Sequence, residues 1–484
     1  MRSFTFASLA LAFGQVHCHI NPLVIPKPND HSSPVPRDLQ AFSIEFAFFP
    51  DYAGNHSHPN QFSKTLLGNF QSITGALPKV RVGGTTQDKA NYFPDQEKGI
   101  QLIFEKPTDD QPVQIDYGPA FFDLRKQPLR HANPSAPQLA LFELGNEWNF
   151  ASKNYRPGNY SELDYVEEWN QKSSFVKAAV HKACPGPFPG FMAPSFVLLS
   201  ETDSSGWTAE ELYSLGYDPH SLTRELSFHN YMGVNEPPNP PAALQLQEIL
   251  MNHTNIVSNL ASQVERSNKL AFLGLPYTLG ELNSIANQGI DGVTNVFGDA
   301  LWLVDFSLWS AAHNIKRLHF HQGLNYRYAS WQPIESESEP PTTRPPYYGQ
   351  IMVASAIGHS EDAHVVNIPL SEDTEAAYAI YNGNKLSKIV AINMQAHNAT
   401  TTGTRPSREY TFNVAGKSHA KVERLIAPGS DSLEGVTFGG VSYDYSLRKG
   451  MPVVIDQKEE ILRVESGVLS VNVPDSSAVL VSFY

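Results

Sequence analysis

Strand-like segments alternate with amphipathic helical segments between residues 42 and 357. This alternation is the sequence pattern of a parallel α/β fold. The clearest helix is predicted over 161–184, where apolar residues recur three and four positions apart and Ser161 can serve as the N-cap. About seven strand–helix units can be counted in this way. The pattern therefore favours a (β/α)8 TIM barrel, which we place at residues 19–355.

After residue 360 the helical period gives way to an alternation of apolar and polar residues with period two. Runs such as AAYAIYNG and SKIVAINM are separated by turn signals such as Asn382-Gly383. Short strands of this kind are typical of an antiparallel β-sandwich. We predict such a sandwich over residues 356–484, with the segment 19–40 packed against it. A barrel followed by a sandwich is frequent among secreted sugar-cleaving enzymes, but an analogy of fold does not establish chemistry.

The N-terminus has the features of a signal peptide. Arg2 precedes the apolar run FTFASLALAFG, which is too short to cross a bilayer, and cleavage is predicted after Cys18. The alternative, a buried N-terminal helix, is disfavoured by the Pro-rich segment that follows at once. Cleavage leaves Cys184 as the only thiol, without a disulfide partner. A secreted, extracellular glycoprotein is expected, with four N-x-S/T sequons as glycosylation sites: Asn55, Asn159, Asn252 and Asn398.

Charge and cysteine content exclude several classes of protein. The formal net charge of −14 argues against nucleic acid or an anionic membrane as a partner, because both require a basic surface. Two cysteines cannot form a Cys-rich zinc module or a disulfide-stapled scaffold. No run other than the N-terminal one approaches the length of a membrane span. A monomer without a cofactor or a metal is expected.

Two glutamates stand where barrel chemistry is found, at the carboxyl ends of predicted strands. Glu147 ends LALFELGNE and Glu281 ends LPYTLGE, and a charge at the end of an apolar strand has no packing role. Hydrolysis of a glycosidic bond needs one protonated and one ionised carboxyl group on opposite faces of the sugar. We predict a separation of about 5–5.5 Å, the spacing for retention of configuration. The alternative for each residue is a solvated glutamate without a catalytic role.

Glu143 shares a strand face with Glu147 by parity, but it lies deeper in the predicted barrel. We interpret it as the buried partner of a basic group such as Arg81. A direct contact of Glu143 with sugar remains the alternative. After the second strand, Thr85 to Asp88 either line the pocket floor or simply turn the chain.

These segments carry a resemblance to a known family. FSIEFAFFPDYAGN, KVRVGGTTQD, FELGNEW, FHNY and the block LGELNS with GIDGVTNVFGDALWLVDFSLWSAAHNIKRLHFHQG, together with the trailing sandwich, resemble glycoside hydrolase family 79. The likeness is to its fungal β-glucuronidase branch, which is related to heparanase. It covers about residues 40–484, and the block 281–323 is the most specific part.

The resemblance implies roles for individual residues. Glu147 would be the acid/base and Glu281 the nucleophile of a retaining enzyme, and Asn146 would bond the 2-hydroxyl of the sugar. Tyr231 in FHNY could bond and orient Glu281. Substrate binding is further expected from two residues of the matching motifs, His229 and Glu45.

The segment NSIANQGIDGV after Glu281 is rich in Gly and Asn and leads into a helix. Backbone N–H groups in such a loop suit an anion. The resemblance implies that this loop holds a glucuronate carboxylate, so Gln288 and Gly289 are candidate binding residues. Tyr326 is the expected assisting tyrosine and Tyr328 the second choice. The alternative is a flexible loop without a ligand.

His319 and His321 lie on the same face of a predicted strand and, together with Glu281, could form a metal site. No third strong ligand is spaced near the two histidines, and the family needs no metal. We therefore predict no metal site, and expect both histidines to line the pocket or to pack.

One stretch departs from the family pattern. Residues 89–138 contain IQLIFE and VQIDYG, followed by a Pro-broken segment, but no strand followed by an amphipathic helix. The third strand–helix unit of the barrel is therefore expected to be missing or reduced, which would leave the barrel open between its second and fourth strands.

The expected function is a secreted retaining exo-β-glucuronidase that removes terminal glucuronic or 4-O-methylglucuronic acid from glycans or glycosides. Two alternatives stay open from the sequence. One is a catalytically weak or dead member that only binds carbohydrate. The other is a heparanase-like endo-glucuronidase. Such an enzyme would need clusters of basic residues to bind an acidic polysaccharide, and the densest basic runs here, Arg125-Lys126 and Lys316-Arg317, are only two residues long.

Overall fold

The computed structural model describes residues 22–29, 32–55, 57–107, 109–123, 140–151, 155–198, 206–236 and 245–484. The predicted signal peptide, residues 1–18, lies outside the described residues, as does most of the Pro-broken segment after residue 123. In the part of the chain that is described, no helix is long and apolar enough to cross a membrane.

The N-terminal half is built on a six-stranded sheet in which every pair of neighbours is parallel. The strands run in the order β2-β1-β9-β8-β7-β6, so the first and last strands of this half lie side by side. This pairing of β1 with β9 brings the ends of strands that are distant in the sequence to one edge of the sheet. The strands are β1 (Gln40–Glu45), β2 (Val80–Gly83), β6 (Phe191–Leu198), β7 (Thr223–Val234), β8 (Tyr277–Ala286) and β9 (Ile315–Gln322).

Helices cover this sheet, and their ends follow the sequence signals. The helix predicted over 161–184 forms over Glu162–Ala183, and Ser161 and Asp164 make a reciprocal capping box at its start. Asn252 caps another of these helices, because its side chain accepts a hydrogen bond from the N–H of Asn255. The helices are α1 (Phe49–Ala53), α2 (Gln61–Thr74), α3 (Ala120–Asp123), α4 (Glu162–Ala183), α5 (Ala209–Ser214), α6 (His253–Lys269), α7 (Phe297–Ala312), α8 (Pro345–Ile357) and α9 (Tyr445–Arg448).

The prediction of a complete eight-stranded barrel is not confirmed, and the expected interruption lies beside β2. The predicted strand over 139–147 is reduced, among the described residues, to a parallel bridge from Phe142 to Phe191 of β6. Among the described residues, no strand of the parallel sheet joins the free edge of β2 to Phe142.

The chain after β2 instead forms a small separate sheet. Its strands are β3 (Ala90–Tyr92), β4 (Ile100–Ile103) and β5 (Gln114–Tyr117), with β5 in the middle. The segments IQLIFE and VQIDYG therefore do form strands, but they pair with each other rather than with the barrel sheet. Two residues between β4 and β5, Asp110 and Gln111, contact Arg327 and Tyr326 after β9.

The C-terminal half is an antiparallel β-sheet domain, as its period-two pattern predicts. Eight strands follow in the order β12-β13-β14-β22-β16-β17-β18-β19, and β20 also pairs with β16. The pair β15-β21 packs over the same core, and Leu23 pairs with Phe412 of β15. One further pair of two-residue strands, β10 and β11, completes the set of strands in the described residues. The bounds are β10 (Trp331–Gln332), β11 (Thr342–Thr343), β12 (Ala363–Asn367), β13 (Glu375–Asn382), β14 (Lys385–Asn393), β15 (Ser407–Asn413), β16 (His419–Ile426), β17 (Thr437–Phe438), β18 (Val441–Ser442), β19 (Val453–Val454), β20 (Glu460–Arg463), β21 (Val468–Pro474) and β22 (Ser477–Phe483).

Helix α7 joins the two halves. It is apolar on every side and almost wholly buried, as expected for a helix that has no face on solvent. Its first backbone N–H groups, of Phe297 and Gly298, donate to the carbonyls of Ser432 and Ser430 in the sheet domain, at 2.9 and 2.8 Å. Buried Asp305 accepts a hydrogen bond from Tyr378 of β13. The sheet domain therefore satisfies backbone groups that a helix N-terminus leaves without partners.

Candidate active site

The two predicted glutamates meet beside the six-stranded parallel sheet. The nearest carboxylate oxygens of Glu147 and Glu281 lie within 4.8 Å of each other and of a ring nitrogen of His229. Glu281 is buried, whereas the side chain of Glu147 is 25% exposed. The carboxylate of Glu281 is thus enclosed by protein, whereas that of Glu147 is accessible from solvent.

Neither glutamate is the last residue of a strand, which corrects the expectation from sequence. Strand β8 continues to Ala286 because β7 remains paired with it that far. Glu147 lies beyond the bridge at Phe142, in a turn where its own φ is 53°. A left-handed conformation is uncommon for a residue with a side chain and costs about 1–2 kcal/mol. The backbone N–H of Glu147 donates to Ser195 O at 2.9 Å, which holds this turn in place.

Arg81 is the buried cation of the site. Its Nη1 donates to Glu281 Oε2, its Nε donates to Glu143 Oε2 at 2.7 Å, and its Nη2 donates to Asn146 Oδ1 at 2.8 Å. The predicted pairing of Glu143 with Arg81 is therefore confirmed. The contact between Arg81 and Glu281 was missed, although an arginine within the apolar run KVRVGG was a signal for it. Because Arg81 lies on β2 and Glu143 follows Phe142, these side chains also span the interruption in the barrel sheet.

Glu281 is held in its ionised form. Burial alone would raise the pKa of its carboxyl, but His321, His229 and Arg81 together outweigh burial and lower that pKa. Tyr231 also donates its O–H to Glu281 Oε1 at 2.8 Å, as the sequence suggested. An ionised, fixed carboxylate is the state that a nucleophile needs.

Glu147 has different neighbours. Its Oε1 lies 3.0 Å from His229 Nδ1, so His229 contacts the acid/base candidate directly. Asp88, which follows β2, lies in the same region, and burial and then the charge of Glu147 raise its pKa to about 8. From the sequence, Asp88 was expected either to line the floor of the pocket or only to form part of a turn. The structure places Asp88 in a short helical turn, close enough to Glu147 for the negative charge of Glu147 to raise the pKa of Asp88.

Asn146 is buried, with its amide oxygen on Arg81. Just before it, Gly145 has a φ of 82°, and the ring of Trp148 lies directly against its Cα. A Cβ at position 145 would come within 1.2 Å of Trp148 Nε1. The dipeptide Asn146-Glu147 is therefore positioned by a tight turn that excludes any side chain at residue 145.

A second polar cluster surrounds Glu45, at the end of β1. Its Oε1 accepts a hydrogen bond from the N–H of Thr86 at 2.9 Å. Its Oε2 accepts from His321 Nε2 at 3.1 Å and from the hydroxyl of Tyr326 at 3.2 Å. Gln111, from the link between β4 and β5, donates to Tyr326 Oη at 2.6 Å. Gln111 was missed because nothing in its local sequence marks it.

The glycine loop after β8 has the backbone conformation of a small, tightly curved turn. Three successive residues, Asn287, Gln288 and Gly289, have φ values of 59°, 64° and 75°. The N–H of Ile290 is used within the loop, where it donates to Thr294 Oγ1 at 2.9 Å. The start of α7 is likewise engaged by the sheet domain, so the helix N-terminus is not the anion site.

The two candidate tyrosines take different places. Tyr326 lies with Glu45, whereas Tyr328 lies against Gly289 and has its ring centroid 6.4 Å from that of Tyr231. Both side chains are buried. The loop 325–328 therefore links the Glu45 cluster to the glycine loop, and Arg327 N donates to Gln288 O at 2.8 Å.

A metal ion is poorly matched to this site. Glu147, His229 and Glu281 together could hold one by spacing alone. Arg81, however, already places a buried positive charge on Glu281. His319 points elsewhere, since its Nδ1 lies 3.2 Å from the carbonyl oxygen of Leu279.

Three of the four sequon asparagines are exposed: Asn55, Asn159 and Asn398. Asn252 is half-buried, and its side chain caps α6 by accepting from Asn255 N at 3.1 Å. Cys184 is exposed and carries a free thiol.

Comparison with known proteins matches this chain to one family. The family model described as "Glycosyl hydrolase family 79 C-terminal beta domain" matches residues 377–480. A protein of Aspergillus niger named beta-glucuronidase is 38% identical over 94% of this chain and 92% of that protein. The chain belongs to glycoside hydrolase family 79. It is a glycoside hydrolase.

Two further relatives of this family 79 enzyme were found. A Neurospora crassa protein named beta-glucuronidase is 33% identical over 87% of each chain. The crystal structure of a 4-O-alpha-L-rhamnosyl-beta-D-glucuronidase from Fusarium oxysporum superposes with a TM-score of 0.77, at 22% identity, covering 95% of this chain and 100% of that one. At that identity the superposition supports the fold: a parallel-strand sheet of the kind found in TIM-barrel glycoside hydrolases, followed by a β-sheet domain.

Proposed function

We propose that this enzyme is a retaining β-glucuronidase in which Glu281 is the nucleophile and Glu147 the acid/base. The observation that carries the proposal is the separation of their nearest carboxylate oxygens, within 4.8 Å. Inverting enzymes keep the two carboxyl groups about 6.5–9.5 Å apart to admit a water molecule between them. The shorter distance favours direct attack and a covalent intermediate.

The electrostatics support the division of roles. Glu281 carries a lowered pKa and is bonded by Arg81 and Tyr231, so it is ionised and fixed for attack at the anomeric carbon. Glu147 is partly exposed and contacts His229, so it can deliver a proton to the departing oxygen and later remove one from water. When the nucleophile forms an ester, its negative charge disappears, which favours the base form of Glu147.

Glucuronide as the substrate rests on two lines of support. The relatives from Aspergillus niger and Neurospora crassa are named beta-glucuronidases, and they align over most of this chain. The glycine loop offers backbone N–H groups at Gln288 and Gly289, and we propose that these bind the carboxylate of the sugar together with a tyrosine of the loop 325–328, either Tyr328 against Gly289 or Tyr326 beside Glu45. Asn146 and Glu45 would then bond ring hydroxyls. Because the protein is strongly acidic, long-range attraction cannot recruit an anionic sugar, and recognition must be local.

We further propose that the fold is a TIM barrel with a reduced third strand–helix unit. The alignment to the Aspergillus niger protein spans 507 positions, more than the 484 residues of this chain, so part of that relative has no counterpart here. The interruption between β2 and Phe142 is where the described sheet lacks a strand. Secretion is proposed from the predicted signal peptide and the four sequons.

Replacement of each glutamate tests the mechanism. Glu281→Gln should abolish nearly all turnover of an aryl β-glucuronide, because no nucleophile remains. Glu147→Ala should reduce turnover most for substrates with poor leaving groups, and azide should restore part of the activity and yield β-glucuronyl azide. Glu236→Gln is the matched control, because Glu236 also follows an asparagine but is exposed.

The measurements are steady-state kinetics on several aryl glucuronides and NMR of the first-formed product. An α-configured first product would exclude retention. Equal losses for good and poor leaving groups in Glu147→Ala would exclude the acid/base assignment. Faster hydrolysis of a matched aryl glucoside by the unaltered enzyme would exclude the glucuronide assignment.

A further inference from the structure

Arg81 is shared between two buried carboxylates. Its Nε donates to Glu143 Oε2 at 2.7 Å, and its Nη1 donates to Glu281 Oε2. The side chains of Arg81, Glu143 and Glu281 are only 2%, 7% and 6% exposed, so water screens these ion pairs weakly. Burial lowers the pKa of Arg81, but the charges of Glu143 and Glu281 outweigh burial and raise it. The positive charge of the guanidinium is therefore divided between a candidate nucleophile and a second glutamate.

Glu143 is fixed in this position from its other side. The hydroxyl of Ser195, on β6, donates to Glu143 Oε1 at 2.5 Å, and Oε2 is the oxygen that contacts Arg81. Both carboxylate oxygens thus accept a hydrogen bond from protein, as a buried carboxylate requires. The contacts of Glu143 direct it toward Arg81 rather than toward a sugar.

Other titratable groups face Glu281 from the neighbouring strands. His321 Nδ1, on β9, lies 3.7 Å from Glu281 Oε2, and Tyr231, on β7, donates to Oε1 at 2.8 Å. His229 and Glu147 each have a polar atom within 4.8 Å of the same carboxylate. Burial raises the pKa of the Glu281 carboxyl, but the two histidines and the arginine outweigh burial and lower it.

Three more groups face this cluster. Asp88 and Tyr328 are neutral at acidic pH, because burial raises the pKa of Asp88 to about 8 and raises that of Tyr328 well above its ordinary value. Glu45 acts across the ring of His321, whose Nε2 lies 3.1 Å from Glu45 Oε2. None of these groups takes the place of a hydrogen-bonded carboxylate on Arg81.

We propose that Glu143 is a positioning residue that acts through Arg81: by binding part of the charge of the arginine, it keeps the Glu281 carboxylate reactive toward the anomeric carbon. This inference rests on the proposed function, in which Glu281 is the nucleophile. Without the carboxylate of Glu143, the charge of Arg81 would act on Glu281 undivided, and a repelling negative charge would be lost as well. Both changes favour the ionised form of Glu281 and would lower its pKa further.

The two steps of a retaining reaction respond differently to such a change. In the first step Glu281 attacks and the aglycone leaves, and in the second step water releases the sugar from Glu281. A carboxylate of lower pKa is a weaker nucleophile but a better leaving group. Loss of the negative charge at residue 143 should therefore slow the first step and not the second, whereas general damage to the site slows both.

Glu143→Gln tests the inference in the full-length enzyme, because it removes the charge and keeps the shape of the side chain. The acid limb of kcat/KM for an aryl β-glucuronide should move to lower pH by about half a unit or more. Turnover of aryl glucuronides with poor leaving groups, which the first step limits, should fall severalfold. Turnover of those with good leaving groups, which the second step limits, should not fall. Azide should restore no activity, because Glu147 is intact.

Two further variants separate charge from stability. Glu225→Gln is the matched control, because Glu225 pairs with Arg317 at 2.7 Å and these side chains are 12% and 9% exposed. It should lower the melting temperature but leave the acid limb and the dependence on the leaving group unchanged. Glu143→Asp keeps the charge but withdraws the carboxylate from Arg81, so it should move the acid limb in the same direction by less. That variant carries the test if Glu143→Gln does not fold.

An acid limb that stays in place or rises in the folded variants of Glu143 would overturn the inference. An equal shift in Glu225→Gln would overturn it too, as would equal losses for good and poor leaving groups in Glu143→Gln. Failure of the proposed function has a different signature. Turnover retained in Glu281→Gln would remove the nucleophile assignment, and the inference would fall with it. An unaltered enzyme that cleaves a matched aryl glucoside instead would remove the glucuronide assignment alone, and the same variants then test Glu143 on that glucoside.

Discussion

The electrostatic role of His321 leads to a prediction about pH. Its Nδ1 lies 3.7 Å from Glu281 Oε2, and contacts with Glu281 and Glu45 raise the pKa of the imidazole although burial opposes them. At acidic pH the ring is therefore charged and stabilises the Glu281 carboxylate. At an effective dielectric constant of about 20, two unit charges at that distance attract by roughly 4 kcal/mol.

His321→Gln removes this charge but keeps an N–H group that can reach Glu45. Glu281 stays buried but loses the opposing charge of His321, so the pKa of its carboxyl group should rise. A nucleophile must be ionised, and the acid limb of kcat/KM for an aryl β-glucuronide should therefore move to higher pH. Arg81 and His229 still lower the pKa of Glu281 in this variant, so we expect a shift of the acid limb smaller than the full attraction energy would give. A shift of about one pH unit corresponds to about 1.4 kcal/mol, and we expect at least that much.

The matched control is His319→Gln. His319 is equally buried on the same strand, but its ring contacts the carbonyl of Leu279, and burial together with the charge of Arg317 lowers its pKa. It is therefore neutral and should leave the acid limb in place. An unmoved acid limb in His321→Gln, with turnover retained at the optimum, would refute the electrostatic argument. Equal shifts in both variants would show that any change in β9 has this effect.

Two further predictions concern glycine geometry and a buried carboxyl group. Gly289→Ala should lower glucuronide turnover about tenfold or more but lower residual glucoside turnover less, because a Cβ there would lie 2.3 Å from Thr294 Oγ1 and displace the proposed carboxylate loop. The control is Gly292→Ala, at a similar positive φ, where an added Cβ would meet nothing within 4 Å. Parallel losses on both sugars would contradict the role of the loop. Asp299→Asn should stabilise the enzyme increasingly as pH rises above about 4, because burial raises the pKa of Asp299 and the native state must hold a proton that the unfolded chain releases. Thermal unfolding at pH 5 and pH 7 measures this, with a gain of roughly 2 °C or more at the higher pH expected and exposed Asp291→Asn as the control; a gain that is independent of pH would contradict it.

Most of the architecture could be read from periodicity, because burial patterns depend on local sequence. The helix capped by Ser161 and the period-two strands after residue 360 form as predicted. The extent of β8 could not be read in this way, since its continuation past Glu281 depends on pairing with β7. The single bridge at Phe142 likewise depends on which neighbour is present, and no local pattern contains that information.

The site shows the same division. Glu147 and Glu281 could be found because a charge after an apolar run is locally anomalous. Gln111 could not, because an amide in a polar link carries no such signal and only the folded chain brings it to Tyr326. Arg81 was predicted only in part: its pairing with Glu143 was expected because Glu143 lies deep in the predicted fold, but its second contact, with Glu281, depends on the order in which β2, β1, β9 and β8 pair.

The way the sheet domain receives α7 bears on how this enzyme unfolds. The carbonyls of Ser430 and Ser432 complete the first turn of that helix, and Tyr378 bonds its buried Asp305. Removing the sheet domain would strip those partners and expose a helix that is mostly apolar to water. The two halves should therefore melt in one cooperative transition, and a barrel expressed alone should be insoluble. In engineering terms, the C-terminal domain is a structural half of the catalyst rather than an exchangeable accessory, and chimeras joined between the two halves would have to carry the helix and its receiving loop together.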